Sequence, residues 1–361
     1  MRSLFILMNA IKIILLAGGL TVTVYVGLVI IKRVAVDNKL EKLATINSRV
    51  CSIPAPNLLR VMTFNTWRSG GKVNNGLSKV IRQIMEVNPD IVSLQEIEVP
   101  SYLDQIVNGL KKKTGIHWEG KVAREKRPFV AILSKHKILN VIAQKRHHYI
   151  AANIAVSENL NVSFWAHWND WRRSGPVEIY KKTIVDNATM MENEADRLTI
   201  IKKLVADLQF QKALKTVNEK PILVCGDFNT PSDMDWVYEN RHIHFNTVMP
   251  WPTTKYLTDE VKMVDSYRKV HPNVTMHPGI TWSTVERWNT EIKAAEPQDR
   301  IDFIFYKSPR LVPVRSEVMP CTNASLSVCH EYCACGETCK DVKNNLHPSD
   351  HYLVYTDFLW K

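Results

Sequence analysis

Glycine and proline are scarce in this chain, at 13 and 17 of 361 residues, which excludes a collagen-like or a low-complexity disordered chain. Internal repeats and low-complexity tracts are missing too, so solenoid and fibrous architectures are excluded. Acidic charge falls short of basic charge and leaves a net +11. Residues 1–50 hold seven Lys or Arg against Asp37 and Glu41, so +5 belongs to that stretch and +6 to the rest. Such an excess suits an anionic substrate and is too small for a protein that coats DNA. What remains is an ordinary packed composition, 45% hydrophobic and 9% aromatic, sufficient for one large or two average domains.

Charge is wholly absent from Ile13 to Ile31 (IILLAGGLTVTVYVGLVII), between Arg2 and Lys12 on one side and Lys32-Arg33 on the other. A spanning helix needs about 17–25 apolar residues and a secretory signal about 7–15. The expectation is a single-pass membrane anchor over residues 1–35, with secretion after signal cleavage as the alternative. A polar linker over 36–57 ends in Pro54 and Pro56, and the folded domain follows over 58–361. By the positive-inside rule the flanking charges keep that domain cytoplasmic. The cysteines point the other way. Cys51, Cys321, Cys329, Cys333, Cys335 and Cys339 lie outside any core strand, and five of them crowd into CTNASLSVCHEYCACGETC. They read as disulfide candidates in an oxidising compartment, with a zinc cluster that includes His330 as the cytosolic alternative. The domain is therefore expected to be lumenal or extracellular. Glycosylation candidates stand at Asn161, Asn187, Asn273 and Asn323, about as many as chance supplies.

Leu58–Trp67 is β-rich, and Leu77–Val87 carries Val80, Ile81, Ile84 and Met85 at helical spacing before Pro89-Asp90 opens the run IVSLQ. This predicts a strand–helix–strand unit. Further strands are expected at 129–134, 161–168, 301–306 and 352–358, and in PILVCGDFN. Glu192–Lys215 reads as one long amphipathic helix with Leu198, Ile201, Leu204, Val205 and Leu208 on one face. Helices interleave with strands, so the class is α+β or α/β, with paired sheets covered by helices. The Cys-rich stretch 318–345 reads as an insertion between the last two strands.

Polar residues collect where strands end: Asn65, Glu96, His167, Asp227 with Asn229, and Asp350 with His351. Asp302, between Ile301 and Phe303 in a half-buried run, is a costly charge unless an imidazole pairs with it. Together these supply hard oxygen ligands for Mg²⁺, a group to position an attacking water, and an imidazole for phosphate oxygens. Each also has a plainer use: Gly-Asp-Phe-Asn as a turn, His167 as a core histidine, Asn65 as a cap.

In order along the chain, FN (64–65), LQE (94–96), AH (166–167), GDFN (226–229), RIDF (300–303) and SDH (349–351) resemble the endonuclease/exonuclease/phosphatase, or deoxyribonuclease I-like, superfamily over residues 58–361. TWRSGGKV (66–73), DWRRSGP (170–176), VDSYRKVHP (264–272) and GITWS (279–283) look like a secreted or membrane-linked subgroup. The resemblance implies a four-layer α/β/β/α sandwich with its site at one edge of the packed sheets. It implies a Mg²⁺-dependent phosphodiesterase, Mn²⁺ being possible as the ion, acting on nucleic acid or phospholipid. Carried over, Asn65, Glu96 and Asp350 would serve the metal, Asp227 the water, and Asn229 the water or a phosphate oxygen. His351 would contact the scissile phosphate with Asp302 fixing its tautomer, and His167 would act as acid or transition-state stabiliser. A nuclease is the leading expectation, ahead of a sphingomyelinase-type phosphodiesterase, an inositol phosphate phosphatase and a non-catalytic binding member. A monomer is expected, tied to the membrane through the N-terminal helix, and no protein partner is inferable.

Overall fold

The computed structural model describes residues 57–123, 125–181, 186–282, 297–319, 343 and 347–361. The expected anchor, the linker up to Pro56, the six outlying cysteines and Asn323 lie outside the described residues. Among the described residues no helix is long and apolar enough to cross a membrane. Asn57–Lys361 forms one compact unit.

Two six-stranded mixed sheets make its centre. The first contains β1 (Leu58–Asn65), β2 (Ile91–Ile97), β3 (Glu119–Val122), β4 (Phe129–Ser134), β11 (Leu311–Met319) and β12 (Leu353–Trp360), in the order β11-β12-β1-β2-β4-β3. The second contains β5 (Lys137–Lys145), β6 (Tyr149–Ser157), β7 (Leu160–Trp168), β8 (Ile222–Asp227), β9 (Val264–Asp265) and β10 (Asp302–Lys307), in the order β5-β6-β7-β8-β10-β9. Alternation along the strands separates three apolar layers. Leu59, Val61, Phe164, Ala166, Leu223, Cys225 and Ile304 meet between the sheets. Met62 and Phe64 turn outward onto helices α1 (Gly76–Val87) and α2 (Pro100–Thr114). On the far side Trp165, Val224, Phe303 and Phe305 pack with Ile201, Leu204 and Phe210 from further helices. Helices thus flank both sheets of the sandwich.

The helix expected over 192–215 is broken into α3 (Asn187–Asn193), α4 (Ala195–Val205) and α5 (Leu208–Lys215). Asp207 makes the second break, because its side chain accepts from the Gln209 N–H and caps a new helix. Ile201, Leu204 and Val205 are buried as expected, whereas Leu208, beyond the second break, is exposed and the buried face resumes at Phe210 and Ala213. The first two residues of the stretch expected as an insertion are strand, since β11 continues to Met319 with Val318 and Met319 paired to Val354 and Leu353; residues 320–342 lie outside the described residues.

Candidate active site

Strand phase assembles the site. Asn65 is in phase with Leu59 and Val61, Asp227 with Leu223 and Cys225, and Asp302 with Ile304 and Tyr306, so all three lie on the faces that look across the sandwich. They stand where that apolar layer runs out at one end. β7 and β8 approach closely there, since a Cβ on Gly226 would sit 1.9 Å from the His167 carbonyl oxygen. Glu96 arrives differently. Regular alternation would turn it to the helix side with Val92 and Leu94, but the β2–β4 register slips between Gln95 and Ile97 and Glu96 takes φ 58°. This bulge re-aims the carboxylate to line the cavity, at a backbone cost of order 1–3 kcal/mol.

Asn65 is the hub of the cluster. Its Oδ1 accepts from the Trp67 N–H at 2.9 Å, which fixes the amide's orientation. Its Nδ2 then faces Asp227 Oδ2 at 3.0 Å, Glu96 Oε1 at 3.2 Å and His351 Nε2 at 3.3 Å. An N–H group does not ligate a cation. Through this nitrogen Asn65 meets the cluster as a donor that holds Glu96 and Asp227, so any part in a metal site falls to its Oδ1 alone. The other oxygen of Glu96 accepts from the Arg68 N–H at 2.8 Å.

His351 Nδ1 lies 2.9 Å from Asp302 Oδ2, the pairing that a buried Asp302 calls for, and Nε2 lies 3.9 Å from Asp227 Oδ2. Asp227, Asp302 and His351 could between them offer a metal three ligand atoms. An ion there would break the 2.9 Å contact, so a hydrogen-bonded triad fits the geometry better. Glu96 and Asp350, hard oxygen donors that both line the open cavity, fit a divalent cation such as Mg²⁺. Asp227 also accepts from the Asn229 N–H at 2.8 Å and from Asn229 Nδ2 at 3.0 Å. The turn reading of Gly-Asp-Phe-Asn is therefore satisfied, and the turn stands in the same cluster as His351.

Burial, reinforced by the charge of Asp302, pushes the Asp227 carboxyl up to about 7, against the pull of His351 and the bonds from Asn229 and Asn65. For His351, burial works against the imidazolium but Asp302 and Asp227 outweigh it, so its pKa rises well above the ordinary histidine value. A cation beside a carboxylate that titrates near neutrality is the electrostatic result.

His167 is not brought to this cluster. It is in phase with Trp165, so its ring turns to the helix-covered face and packs on Phe228 at 4.8 Å. Burial, with His148 close by, drives its pKa down to about 3. The catalytic role expected for it is corrected to that of a buried neutral histidine. Arg300 is buried as well, on Asp235 at 2.8 Å and Asp265 at 2.6 Å. Cys225 is a buried free thiol. Asn161, Asn187 and Asn273 are exposed.

Residues that sequence reasoning did not single out complete the frame. Ser349 Oγ donates to the Asn65 carbonyl at 2.7 Å and accepts from the His351 N–H at 3.1 Å. Asn169 takes the Asn229 side chain on its carbonyl at 3.1 Å. The wholly buried Arg197 donates to the carbonyls of Asp170, Arg172 and Arg173 and pairs with Glu194 at 2.6 Å, bracing the 170–173 loop. Ser349 stood inside a quoted motif; nothing local marks a buried arginine on an amphipathic helix. Above the cluster opens a cavity of about 1030 Å³, with Arg68, Arg127, Arg146 and Lys181 at its rim beside Trp67, Trp171 and Trp282.

A sandwich of two mixed sheets with a buried carboxylate–imidazole–carboxylate cluster and an open acidic ligand defines a phosphoester hydrolase site. The chain belongs to the endonuclease/exonuclease/phosphatase family, whose sequence profile matches residues 62–351. It is accordingly a hydrolase acting on phosphoester bonds. An uncharacterized Caenorhabditis elegans protein, F14F9.5, is 33% identical over 310 residues, covering 85% of this chain and 93% of that protein. Among solved structures, a functionally unknown conserved protein from Enterococcus faecalis V583 is similar at TM-score 0.50 and 12% identity, over 84% of this chain and all of the other. An endonuclease/exonuclease/phosphatase from Beutenbergia cavernae has TM-score 0.49 at 16% identity, over 84% of this chain and 72% of that one.

Proposed function

We propose that this protein is a Mg²⁺-dependent phosphodiesterase that cleaves nucleic acid by in-line attack of water on phosphorus. The observation that carries the reading is the convergence of Asp227, His351 and Asp302, through Asn65, with Glu96, of which His351 and Glu96 line one cavity. Asp227 Oδ2, near neutrality in its pKa, orients the water and takes its proton. Asn229, engaged with Asp227 and the Asn169 carbonyl, serves by holding that carboxylate. His351 Nε2 donates to a phosphoryl oxygen while Asp302 keeps the proton on Nδ1. When bound at Glu96 and Asp350, the cation supplies Lewis-acid neutralisation of charge on the phosphoryl group. Cationic and indole side chains interleaved around the cavity suit a polymer of phosphates and bases.

The apolar run Ile13–Ile31 and the cysteine cluster support a single-pass protein with its catalytic domain lumenal or extracellular. That same run favours a second reading, in which the anchor holds the site against a bilayer and the diester is a phospholipid headgroup. The test is hydrolysis of plasmid DNA, RNA and sphingomyelin-containing vesicles in parallel, with Mg²⁺ or EDTA, and with His351→Ala as the blank. Metal-dependent cleavage of nucleic acid is expected; cleavage confined to the vesicles would install the lipid reading, and no cleavage at all would sink both.

A further inference from the structure

The pair formed by Asp302 and His351 spans the two sheets, since Asp302 begins β10 in one and His351 precedes β12 in the other. Apolar packing between the sheets resists separation but is non-directional, so it does not by itself fix the 2.9 Å contact between them. A directional link is required, and a short segment, Thr281-Trp282, supplies it. Trp282 bridges Asp299 on one side and His351 on the other. The Thr281 N–H donates to the Asp299 carbonyl at 3.0 Å, and the Thr281 carbonyl accepts from the Tyr352 N–H at 2.7 Å. Its side chain does something the backbone could not. Thr281 Oγ1 accepts from the Ile301 N–H at 3.0 Å and from the Asp302 N–H at 3.2 Å. In a regular strand successive N–H groups point to opposite edges, so two consecutive ones converging on one atom mark an irregular strand start. Both are buried and each needs an acceptor; a hydroxyl oxygen, with two lone pairs, serves the two together.

We propose that Thr281 is a positioning residue for the Asp302–His351 pair. Its hydroxyl sets where the Asp302 backbone starts and hence where the carboxylate points, while its carbonyl holds the residue next to His351. Serine preserves this function. Valine, of the same shape, abolishes it because the methyl that replaces the hydroxyl leaves two buried N–H groups unsatisfied. The consequence for turnover rests on the phosphodiesterase reading above; the consequence for the contact itself does not.

The test compares wild type, Thr281→Val, Thr281→Ser and, as blank, His351→Ala in the full-length chain. Its first readout is the low-field proton resonance of a histidine Nδ1–H bonded to a carboxylate. That signal should be present in wild type and Thr281→Ser, missing from the blank, and lost or moved upfield in Thr281→Val. The second readout is hydrolysis of the nucleic acid that wild type cleaves. Thr281→Val should lower kcat roughly 10- to 100-fold with KM little changed, because a misplaced group costs turnover more than binding, and Thr281→Ser should stay within about threefold. Should the valine variant fail to fold, Thr281→Ala replaces it. An unmoved resonance with unchanged kcat in Thr281→Val overturns the proposal, as does a serine variant damaged as badly as the valine one. If wild type cleaves no phosphodiester, the functional reading falls and the resonance alone still decides the role of Thr281.

Discussion

Asp227 and Asp302 are direct partners across the antiparallel β8–β10 ladder, two buried carboxylates on facing positions. Like charges so placed repel, and the arrangement stands because the imidazole of His351 contacts Asp302 and lies 3.9 Å from Asp227. Asp302→Asn should therefore cut kcat by about 100-fold or more while circular dichroism shows an intact fold. A variant that turns over at the wild-type rate would remove Asp302 from the mechanism.

The same pair sets the pH profile. Asp227 must be ionised to accept a proton, and its pKa is raised to about 7, so kcat should rise with pH through that region. His351 must be protonated, and its pKa lies well above the usual histidine value, so the rate should fall again only at higher pH. Removing the Asp302 charge should shift that falling limb to lower pH. A profile measured at saturating metal, in wild type and Asp302→Asn, checks both limbs.

Glu96→Gln keeps the shape of the side chain and halves its capacity as a hard ligand. It should raise the Mg²⁺ concentration for half-maximal activity by about tenfold or more. Calorimetric titration of Mg²⁺ into both forms gives an independent measure; equal affinities would place the ion elsewhere.

Arg197 and Glu194 form an ion pair that is almost completely shielded from solvent. Arg197→Met leaves Glu194 uncompensated and strips the carbonyls of Asp170, Arg172 and Arg173 of a donor. The expected loss is about 3–5 kcal/mol in urea denaturation.

Asp299 is buried beneath the cavity and accepts from Trp236 Nε1 at 2.8 Å. Burial raises its pKa to about 7, while His244, 3.6 Å away, is lowered to about 4, so both are neutral between those values and Asp299 is charged above them. A folded carboxyl that binds its proton more tightly than the unfolded one costs stability as pH rises from about 4 to about 7, at about 1.4 kcal/mol per pH unit at most. Asp299→Asn escapes that cost. Its melting midpoint should exceed wild type by more at pH 8 than at pH 5, and a constant difference would refute the assignment.

Much of this site was legible because its residues sit at strand ends. β8 is a fully buried strand that stops at Asp227, and β10 starts at Asp302, so a charged residue abutting an apolar run was informative. Strands with an exposed or irregular pattern gave no such signal: β5 is buried at Ile138 alone, β11 mixes buried, half-buried and exposed positions without regular alternation, and neither was anticipated. Facing direction was the other blind spot. His167 looked like its neighbours in the site until strand phase put it on the wrong side, and Glu96 reaches the right side only through a bulge. The buried partners of Arg300, more than thirty residues away in sequence, were invisible for the reason that any long-range contact is.

The clustered side chains on strand ends and the Trp171–Arg173 loop that lines the cavity come from different parts of the chain. Such a division lets selectivity drift while the chemistry stays put: the rim can be exchanged, lengthened or recharged without disturbing a strand register. A graft of residues 170–176 from another family member is then a change of diet rather than a change of metabolism, and this chain is a scaffold on which cleavage could be re-aimed.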